Sequence, residues 1–363
     1  MSKTTTLFEG FPLGIRRNAD RTKMEPGAAW DLVDYIPDKL GAAIRKRGGW
    51  SYVSTAAAFS GSHRLNSCIF SPYDNYFVGV ASASGGVAST IAVTFNDSTV
   101  SAASFSIDST YSGSAHLAQL GNSVILTSSS GAAPYSVRSG TLALLAGTPP
   151  SGELTTVYKD RLILARSTAN PDRIWFSGAA SVTSWNTTDR FIDTNDNLRA
   201  IFGLSRVLLL FGRNSIQRIT GAIPPPGSDM ELSFLSHLYG IGDTFIKSIV
   251  DYQDTCIWAN TEGVFRTDGF GVIDLTARYG VKEYYRDIVS ANPRVAGGMI
   301  GDYYVLSVTT GLTTVNALVF DMTSAAFFRF NNFYWLTMAR GSLATAGLTD
   351  TVMGSIENIG RIG

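Results

Sequence analysis

One phrase recurs along this chain and limits its fold more than any other feature. A few small or apolar residues lead to a polar turn residue, and a strongly apolar strand follows. The turn residues of the seven copies, spaced by 47, 38, 45, 49, 48 and 48 residues, are Asn75, Asn122, Asp160, Ser205, Asp254, Asp302 and Asp350. A period of this length is typical of a four-stranded propeller blade. The repeat therefore predicts an all-β protein, a β-propeller of seven four-stranded blades, with six blades as the alternative.

The distribution of apolar residues agrees with this prediction. Short runs of Val, Ile, Leu, Phe and Tyr are broken every 8 to 12 residues by Gly, Ser, Asn or Asp, as in a chain of short β-strands. A third strand follows in several copies, at residues 135–138, 173–178, 215–221 and 263–269. Only two segments favour a helix: residues 28–36, which follow Pro26-Gly27, and residues 283–287.

The two ends of the chain are expected to share a blade. The seventh copy runs out of chain soon after Asp350, before its last two strands. Residues 41–56 read like the third and fourth strands of a blade, so we expect them to complete the last blade with residues 341–363, which would remove open strand edges. The propeller then spans residues 41–363. Residues 1–40 remain as an N-terminal arm, whose apolar residues either pack on their own propeller or contact a neighbouring subunit.

The chain has few charges, and they balance. It contains 29 Lys and Arg and 29 Asp and Glu, which is 16% of its residues, against roughly 25% in typical globular domains. Zero net charge argues against a general DNA-binding protein. Such a low charged fraction favours assembly into something larger, because assembly hides surface that a free monomer would expose.

Two further classes are excluded by simple patterns. Cys68 and Cys256 are far apart in the sequence, so we expect core thiols rather than a zinc knuckle, a redox pair or a disulfide scaffold. Neither end reads as a plain signal peptide, and apolar runs such as residues 207–211 are far shorter than the ~18 residues of a membrane span. We therefore predict no membrane span.

The chain contains none of the common catalytic or cofactor-binding motifs. There is no G-x-S-x-G elbow, Walker A loop, H-E-x-x-H or G-x-G-x-x-G sequence. Of the three histidines, His116 is expected to begin an inner strand, and His63 and His237 to lie in loops. Inner-strand positions are mostly Ala, Ile, Val and Leu, whereas a propeller enzyme needs acidic residues in its central funnel. The sequence therefore predicts no enzyme, no catalytic residues and no cofactor.

One segment begins like a calcium-binding loop. Residues 193–197 read D-T-N-D-N, in which alternate oxygens can surround one cation. The sixth position is Leu198 rather than Gly, and the twelfth is Leu204 rather than Glu. We interpret the segment as a polar turn before a strand, and predict no metal site.

Three features have both a functional and a structural interpretation. The basic cluster Arg45-Lys46-Arg47 could meet phosphates, but alternate side chains of a strand face opposite ways, which favours a solvated strand end. The stiff loop at residues 224–227, P-P-P-G, is either a partner contact or an ordinary excursion between strands. The aromatic clusters at residues 284–285, 327–328 and 333–335 could bind sugars or a partner, although blade packing is the more frequent use.

Several phrases occur in a particular order along the chain. They are G-A-A-W-D-L-V at residues 27–33, Gly41 followed by I-R-K-R-G-G-W at 44–50, P-D-R-I-W-F-S at 171–177 with Trp185 after it, L-F-G-R-N-S-I-Q-R-I-T-G at 210–221, and W-A-N-T-E-G-V-F-R at 258–266. This series resembles the β-propeller tail proteins of double-stranded DNA bacteriophages, the nozzle-like or tail-tube-associated components of virions. The likeness covers residues 25 to 280.

The resemblance implies a structural virion protein of the phage tail, made in the cytoplasm of the bacterial host. The implied partners are copies of the chain in a symmetric ring, for which we expect a hexamer, and other virion tail proteins, with passive contact to DNA in the tail channel. It carries over no active site. This chain has no room for the large insertion domains of some nozzle proteins. The alternative function is a carbohydrate- or receptor-binding propeller at a tail tip or a cell surface, which would be favoured by aromatic and Asn or Asp groups repeating in each blade.

Overall fold

The structure is a computed structural model. It describes residues 14–15, 28–29, 35–37, 44–46, 51–54, 63–74, 76–83, 90–95, 100–104, 116–127, 133–223, 230–289, 294–310, 314–324, 326–331, 337–342, 349–354 and 359–362. Most of the regular structure in these residues is β-strand.

The strands near the N-terminus are short. β1 (Gly14–Ile15) pairs in parallel with β2 (Ala28–Ala29), and β3 (Tyr35–Pro37) pairs antiparallel with β4 (Ile44–Lys46). The helix predicted over residues 28–36 is therefore wrong. A helix this short has little stability of its own, and strand pairing gives these backbone groups hydrogen-bond partners instead. The next strand is β5 (Ser51–Ser54).

Six consecutive sheets of four strands follow, each an antiparallel meander in which strands pair in their order along the chain. The first contains β6 (His63–Ser71), β7 (Tyr76–Ala83), β8 (Thr90–Phe95) and β9 (Val100–Ser104). The second contains β10 (His116–Leu120), β11 (Ser123–Thr127), β12 (Tyr135–Arg138) and β13 (Thr141–Leu144), and the third β14 (Leu154–Tyr158), β15 (Arg161–Ala165), β16 (Arg173–Phe176) and β17 (Phe191–Asp193). The fourth contains β18 (Ala200–Gly203), β19 (Leu208–Phe211), β20 (Ile216–Thr220) and β21 (Glu231–Ser236), and the fifth β22 (Val250–Tyr252), β23 (Thr255–Ala259), β24 (Val264–Thr267) and β25 (Val272–Asp274). The sixth contains β26 (Arg294–Ile300), β27 (Tyr303–Thr310), β28 (Thr314–Asp321) and β29 (Phe327–Asn331).

The last sheet combines both ends of the chain. Its strands are β30 (Thr337–Ser342), β31 (Thr349–Gly354) and β32 (Ile359–Ile362), and β5 pairs antiparallel with β32. Helices occur only between sheets in the described residues. A 3₁₀ helix (Asp243–Ser248) precedes β22, and α1 (Leu275–Arg278) and α2 (Lys282–Val289) precede β26. α2 confirms the helix predicted over residues 283–287.

Successive four-stranded meanders of this kind form a β-propeller, so the predicted all-β class is confirmed. Five blades, the sheets from β10 to β29, are described strand by strand with most of their side chains. This is fewer than the seven, or alternatively six, that the repeat predicts. The two terminal sheets are described mainly by their strand pairing, and the sequence repeat is also least regular near the start of the chain.

The last unit differs from its prediction in three places. Asp350 lies inside β31, paired with Gly341, rather than in a turn. The third strand of the last sheet is β32 from the C-terminus, whereas Ile44–Lys46 pairs with β3. Only β5, from the predicted segment 41–56, joins the C-terminal strands. The C-terminal segment thus supplies three strands itself, and one N-terminal strand is enough to pair its edge.

The core lies between blades, and the second strand of each blade is its most buried part. All residues of β11 and β19 are buried. Side chains of neighbouring sheets interlock there: Ile163 and Phe176 of one blade share a cluster with Leu208 and Leu210 of the next. Because a central strand is covered on both faces by adjacent blades, it reads as an unbroken apolar run such as residues 207–211.

The turns between first and second strands follow from local backbone preferences. Lys159-Asp160 and Gln253-Asp254 both have positive φ at each central residue. That conformation fits the two-residue hairpin turn whose twist matches the strands, and Asp tolerates it better than most residues do. The recurring polar turn residue in the sequence is therefore a hairpin signal.

Candidate functional site at the mouth of the central channel

The first strands of three consecutive blades begin with polar residues. His116 opens β10, Glu153 precedes β14, and Arg199 precedes β18. Since the blades of a propeller surround a central channel and their first strands line it, these residues meet at one mouth of that channel. They line a pocket of about 270 Å³, which we call the channel-mouth pocket, whose other lining residues are Leu154, Arg166, Asp243 and Ile246.

Glu153 and Arg166 form the first ion pair of this pocket. The backbone N–H of Glu153 donates to the carbonyl of Arg166 at 2.8 Å, and the Thr127 hydroxyl donates to the carbonyl of Glu153 at 2.9 Å. Arg166 Nε then lies 3.2 Å from Glu153 Oε2. Burial raises the pKa of the Glu153 carboxyl, and the charge of Arg166 opposes that rise.

Arg199 and Asp243 form the second ion pair. The backbone N–H of Arg199 donates to the carbonyl of Phe211 at 2.7 Å, which fixes the residue at the start of its strand. Arg199 Nη1 donates to Asp243 Oδ1 at 2.7 Å. Arg199 Nε is buried and has no hydrogen-bond partner in the described part of the chain. The guanidinium therefore donates to Asp243 but keeps one donor, Nε, without a partner among the described residues.

The 3₁₀ helix Asp243–Ser248 supplies the lining residues Asp243 and Ile246, and Lys247 directly follows Ile246. Ser248 anchors this helix: its hydroxyl donates to the carbonyl of Phe245 at 2.6 Å, and its own carbonyl accepts from the Tyr304 hydroxyl at 2.9 Å. Burial, together with the positive charge of Arg294, lowers the pKa of Lys247 to about 8. Lys247 is therefore mostly charged at neutral pH, although burial and the charge of Arg294 make its charged form less favourable.

His116 is neutral at neutral pH. Burial, and to a lesser extent the positive charges of Lys247 and Arg166, lower its pKa to about 4. A neutral imidazole has one N–H donor and one acceptor. The mouth therefore combines several hydrogen-bond donors with positive charge.

The residues that resemble a calcium loop have partners within the protein. Asp193 forms a two-point ion pair with Arg173, at 2.6 Å and 2.8 Å. Asp196 Oδ2 accepts from the Ser215 hydroxyl at 2.7 Å, and the backbone N–H of Asn195 donates to Gln217 at 3.3 Å. The segment thus runs from the end of β17 towards β18, and the polar groups named above are bonded within the protein. No group of three or more His, Cys, Asp or Glu suited to a metal occurs within the residues that the structure describes.

The three histidines lie in separate elements. His63 starts β6 rather than lying in a loop, because it pairs with Ala83; His116 begins an inner strand as predicted. His237 follows β21, with its ring 4.3 Å from that of Phe234. The strand assignment of Ile44–Lys46 agrees with a basic strand, but the side chains of Arg45 and Lys46 lie outside the described part, as do Arg47 and residues 224–227.

The aromatic clusters serve mainly in packing. Tyr285, Phe327 and Phe328 are buried, and the Tyr285 hydroxyl donates to the carbonyl of Asn260 at 2.6 Å. Residues 333–335 lie outside the described residues. Cys256 is a buried free thiol, as expected, and Cys68 is a partly buried one. No helix in the described residues is long and apolar enough to cross a membrane.

Sequence reasoning missed most of the channel-mouth pocket. Glu153, Arg199 and Asp243 stand roughly 45 residues apart, as the blade period requires, and no local motif connects them. The one usable signal is positional: each lies just before or at the start of an inner strand or its preceding helix. Aligning the repeat copies at that position would have brought them together.

Comparison with known proteins addresses the fold. No protein family model matches the chain, and no curated protein matches its sequence. Among solved structures, the extracellular domain of a hybrid two component system from B. thetaiotaomicron matches 90% of this chain at 11% identity and a TM-score of 0.54, and the match spans 45% of that chain. YCF48 from Cyanidioschyzon merolae matches 86% of this chain and 98% of its own at 12% identity and a TM-score of 0.50.

The fold is a β-propeller. At such low identity the likeness extends to architecture alone, since one superfold carries many unrelated functions. This chain spans less than half of the first structure, so nothing of that protein's activity carries over.

Proposed function

We propose that this propeller is a structural component of a double-stranded DNA bacteriophage tail, which assembles with copies of itself and docks to neighbouring tail proteins. The proposal rests first on the ordered phrases that resemble tail propellers. In the structure these phrases form blade framework: residues 210–221 span β19 and β20, and residues 258–266 span β23 and β24. The resembling phrases therefore support a structural role rather than an active site.

The proposal includes a closed ring of seven blades. β30 lies beside β26 on one side and beside β6 on the other, so the last sheet stands between the sixth and the first. Its outer strand is β5, with Ser51 opposite Arg361. Pairing strands from both ends in one blade would lock the ring and remove edges that would otherwise pair with other chains.

Hydrogen bonds between blades support a rigid block. The Tyr158 hydroxyl in one blade donates to the carbonyl of Arg206 in the next at 2.8 Å, and the Tyr304 hydroxyl reaches back to Ser248 in the preceding blade unit at 2.9 Å. Arg218 Nη1 donates to the carbonyl of Gly269 at 2.9 Å. Such links hold neighbouring blades in a fixed orientation.

The observation that carries assembly is an apolar rim on two neighbouring blades. Leu238 and Phe270 are 76% and 56% exposed, and Phe234 and Ile273 are also exposed. These residues lie on or next to the outer strands β21 and β25. Large exposed apolar side chains gathered in one region are typical of protein contacts, and the low charge of the chain agrees with a surface that is covered in an assembly.

The N-terminal arm is proposed to pack on its own propeller. β1 and β3 both lie beside β29, the outer strand of the sixth sheet. Of the two alternatives for the arm, this placement supports attachment to the same subunit.

Size-exclusion chromatography with light scattering tests assembly. We expect the full chain to form a ring, for which a hexamer is our proposal, and the double variant Leu238→Ser/Phe270→Ser to fall to smaller species while keeping its circular dichroism. Tyr73→Ser is the matched control, because Tyr73 is 72% exposed but lies in the turn between β6 and β7. A wild-type protein that stays monomeric at all concentrations would contradict self-assembly. It would favour the alternative of a carbohydrate- or receptor-binding propeller, which glycan-binding screens test.

A further inference from the structure

The charged residues that line the channel-mouth pocket form two ion pairs. Each of its two carboxylates already has a cation: Glu153 pairs with Arg166, and Asp243 with Arg199. The Glu153–Arg166 pair is largely buried, whereas the Asp243 side chain of the second pair is 65% exposed.

A further cation, Lys247, follows the lining residue Ile246 directly in the chain, and Arg294 lies near Lys247. Lys247 and Arg294 form no ion pair with any described carboxylate, and Lys247 experiences the charge of Arg294 as repulsion. Both lie on neighbouring elements, since the 3₁₀ helix packs beside β26. With His116 neutral, Lys247 adds a positive charge beside the two balanced ion pairs of the pocket.

Hydrogen-bond donors surround the same space. Arg199 has a buried Nε without a described partner, and the neutral His116 ring can donate one N–H. A buried donor without an acceptor costs free energy. An acceptor brought in by a ligand would relieve that cost after a small shift of the guanidinium.

We propose that the channel-mouth pocket binds an oxyanion, either free inorganic phosphate or the carboxylate of an acidic side chain presented by a partner. Its volume of about 270 Å³ suits a group of that size rather than a large ligand. The anion would sit beside Arg199 and His116, close to the charge of Lys247, and would offset the repulsion between Lys247 and Arg294. This site is independent of the proposed tail function.

Isothermal titration calorimetry of the full chain with sodium phosphate, at pH 7 and constant ionic strength, tests the proposal. We expect measurable binding to wild type and a roughly tenfold loss in Lys247→Met, because one charge-assisted contact is removed. Lys159→Met is the matched control, since Lys159 lies in the exposed turn between β14 and β15 at the other end of the first strands. Lys247→Arg keeps the charge and should keep binding.

A second arm distinguishes the two sources. Tetraglutamate is titrated against tetraglutamine with blocked ends. Binding of tetraglutamate and not tetraglutamine assigns the site to a partner's carboxylate, and binding of phosphate alone assigns it to a free anion. Should Lys247→Met fail to fold, the pKa of His116 followed by NMR in wild type replaces it, and phosphate should raise that pKa. No binding of either anion, or equal binding to wild type and Lys247→Met, overturns the proposal.

Discussion

Ser205, in the turn between the first two strands of one blade, donates to Asp254, in the equivalent turn of the next blade. The backbone N–H of Ser205 lies 2.8 Å from Asp254 Oδ1, and its hydroxyl donates to Oδ2. Both residues mark the repeat in the sequence. The polar turn residue thus has two uses, because it permits the hairpin and also links that hairpin to its neighbour.

This link predicts a measurable coupling. Asp254→Asn and Ser205→Ala should each lower the free energy of unfolding, and a double-mutant cycle should give a coupling of about 0.5–1 kcal/mol, small because both groups are exposed. The two hydrogen bonds from Ser205 lower the pKa of Asp254. The carboxylate's contribution is therefore present above its ordinary pKa of 3.8 and is lost as the pH falls through its lower folded value.

Asp160→Asn is the control for this cycle. Asp160 has the same turn position and positive φ, but its side chain makes no described hydrogen bond to another blade. Urea unfolding gives the free energies. If the coupling between Ser205 and Asp254 were no larger than that between Ser205 and Asp160, the link would not stabilise the fold.

Gly269→Ala should be strongly destabilising. Gly269 has φ +93°, and an added Cβ would stand 2.2 Å from Val207 Cγ2 in the preceding blade. We expect a loss of about 2–4 kcal/mol in chemical unfolding, from backbone strain and overpacking together. Gly271→Ala in the same turn is the control, because its Cβ would meet nothing within 4 Å. Similar losses for the two variants would refute the close approach of these blades.

His116→Gln should reduce acid sensitivity. The unfolded chain takes up a proton at His116 near pH 6.5, whereas the folded protein takes it up only near pH 4. Stability from this group is thus complete above pH 6.5 and is lost as the pH falls towards 4, by on the order of 3 kcal/mol. Thermal unfolding between pH 4 and pH 7 should show a shallower decline for His116→Gln than for wild type. His237→Gln, at an exposed position, should leave the wild-type slope unchanged.

Tyr304→Phe should cost about 1–2 kcal/mol, because it leaves the buried carbonyl of Ser248 without its donor at 2.9 Å. Tyr73→Phe removes an exposed hydroxyl and should change stability little. Urea midpoints of the two variants give the comparison. An unchanged midpoint for Tyr304→Phe would mean that water or another group replaces the bond.

The sequence repeat predicted the strands and turns that recur from blade to blade. It did not predict the channel-mouth pocket, which single residues from different blades form. Val124–Leu126 and Cys256–Trp258 were recognised as second strands because a strand covered on both faces is an apolar run, and their turns carry Asn or Asp. Asp350 was misplaced because a polar residue can also sit within a strand at the end of the chain. The channel-mouth pocket was missed because Glu153, Arg199 and Asp243 come from different blades, and no spacing within one blade marks them.

The most direct test of the proposed tail function is electron microscopy of phage particles labelled with a gold-conjugated antibody against the purified chain. The proposal predicts gold at the tail of intact particles, and pinwheel-shaped subunits in images of the purified chain. Pinwheels without any label on particles would contradict the tail assignment while leaving the propeller intact.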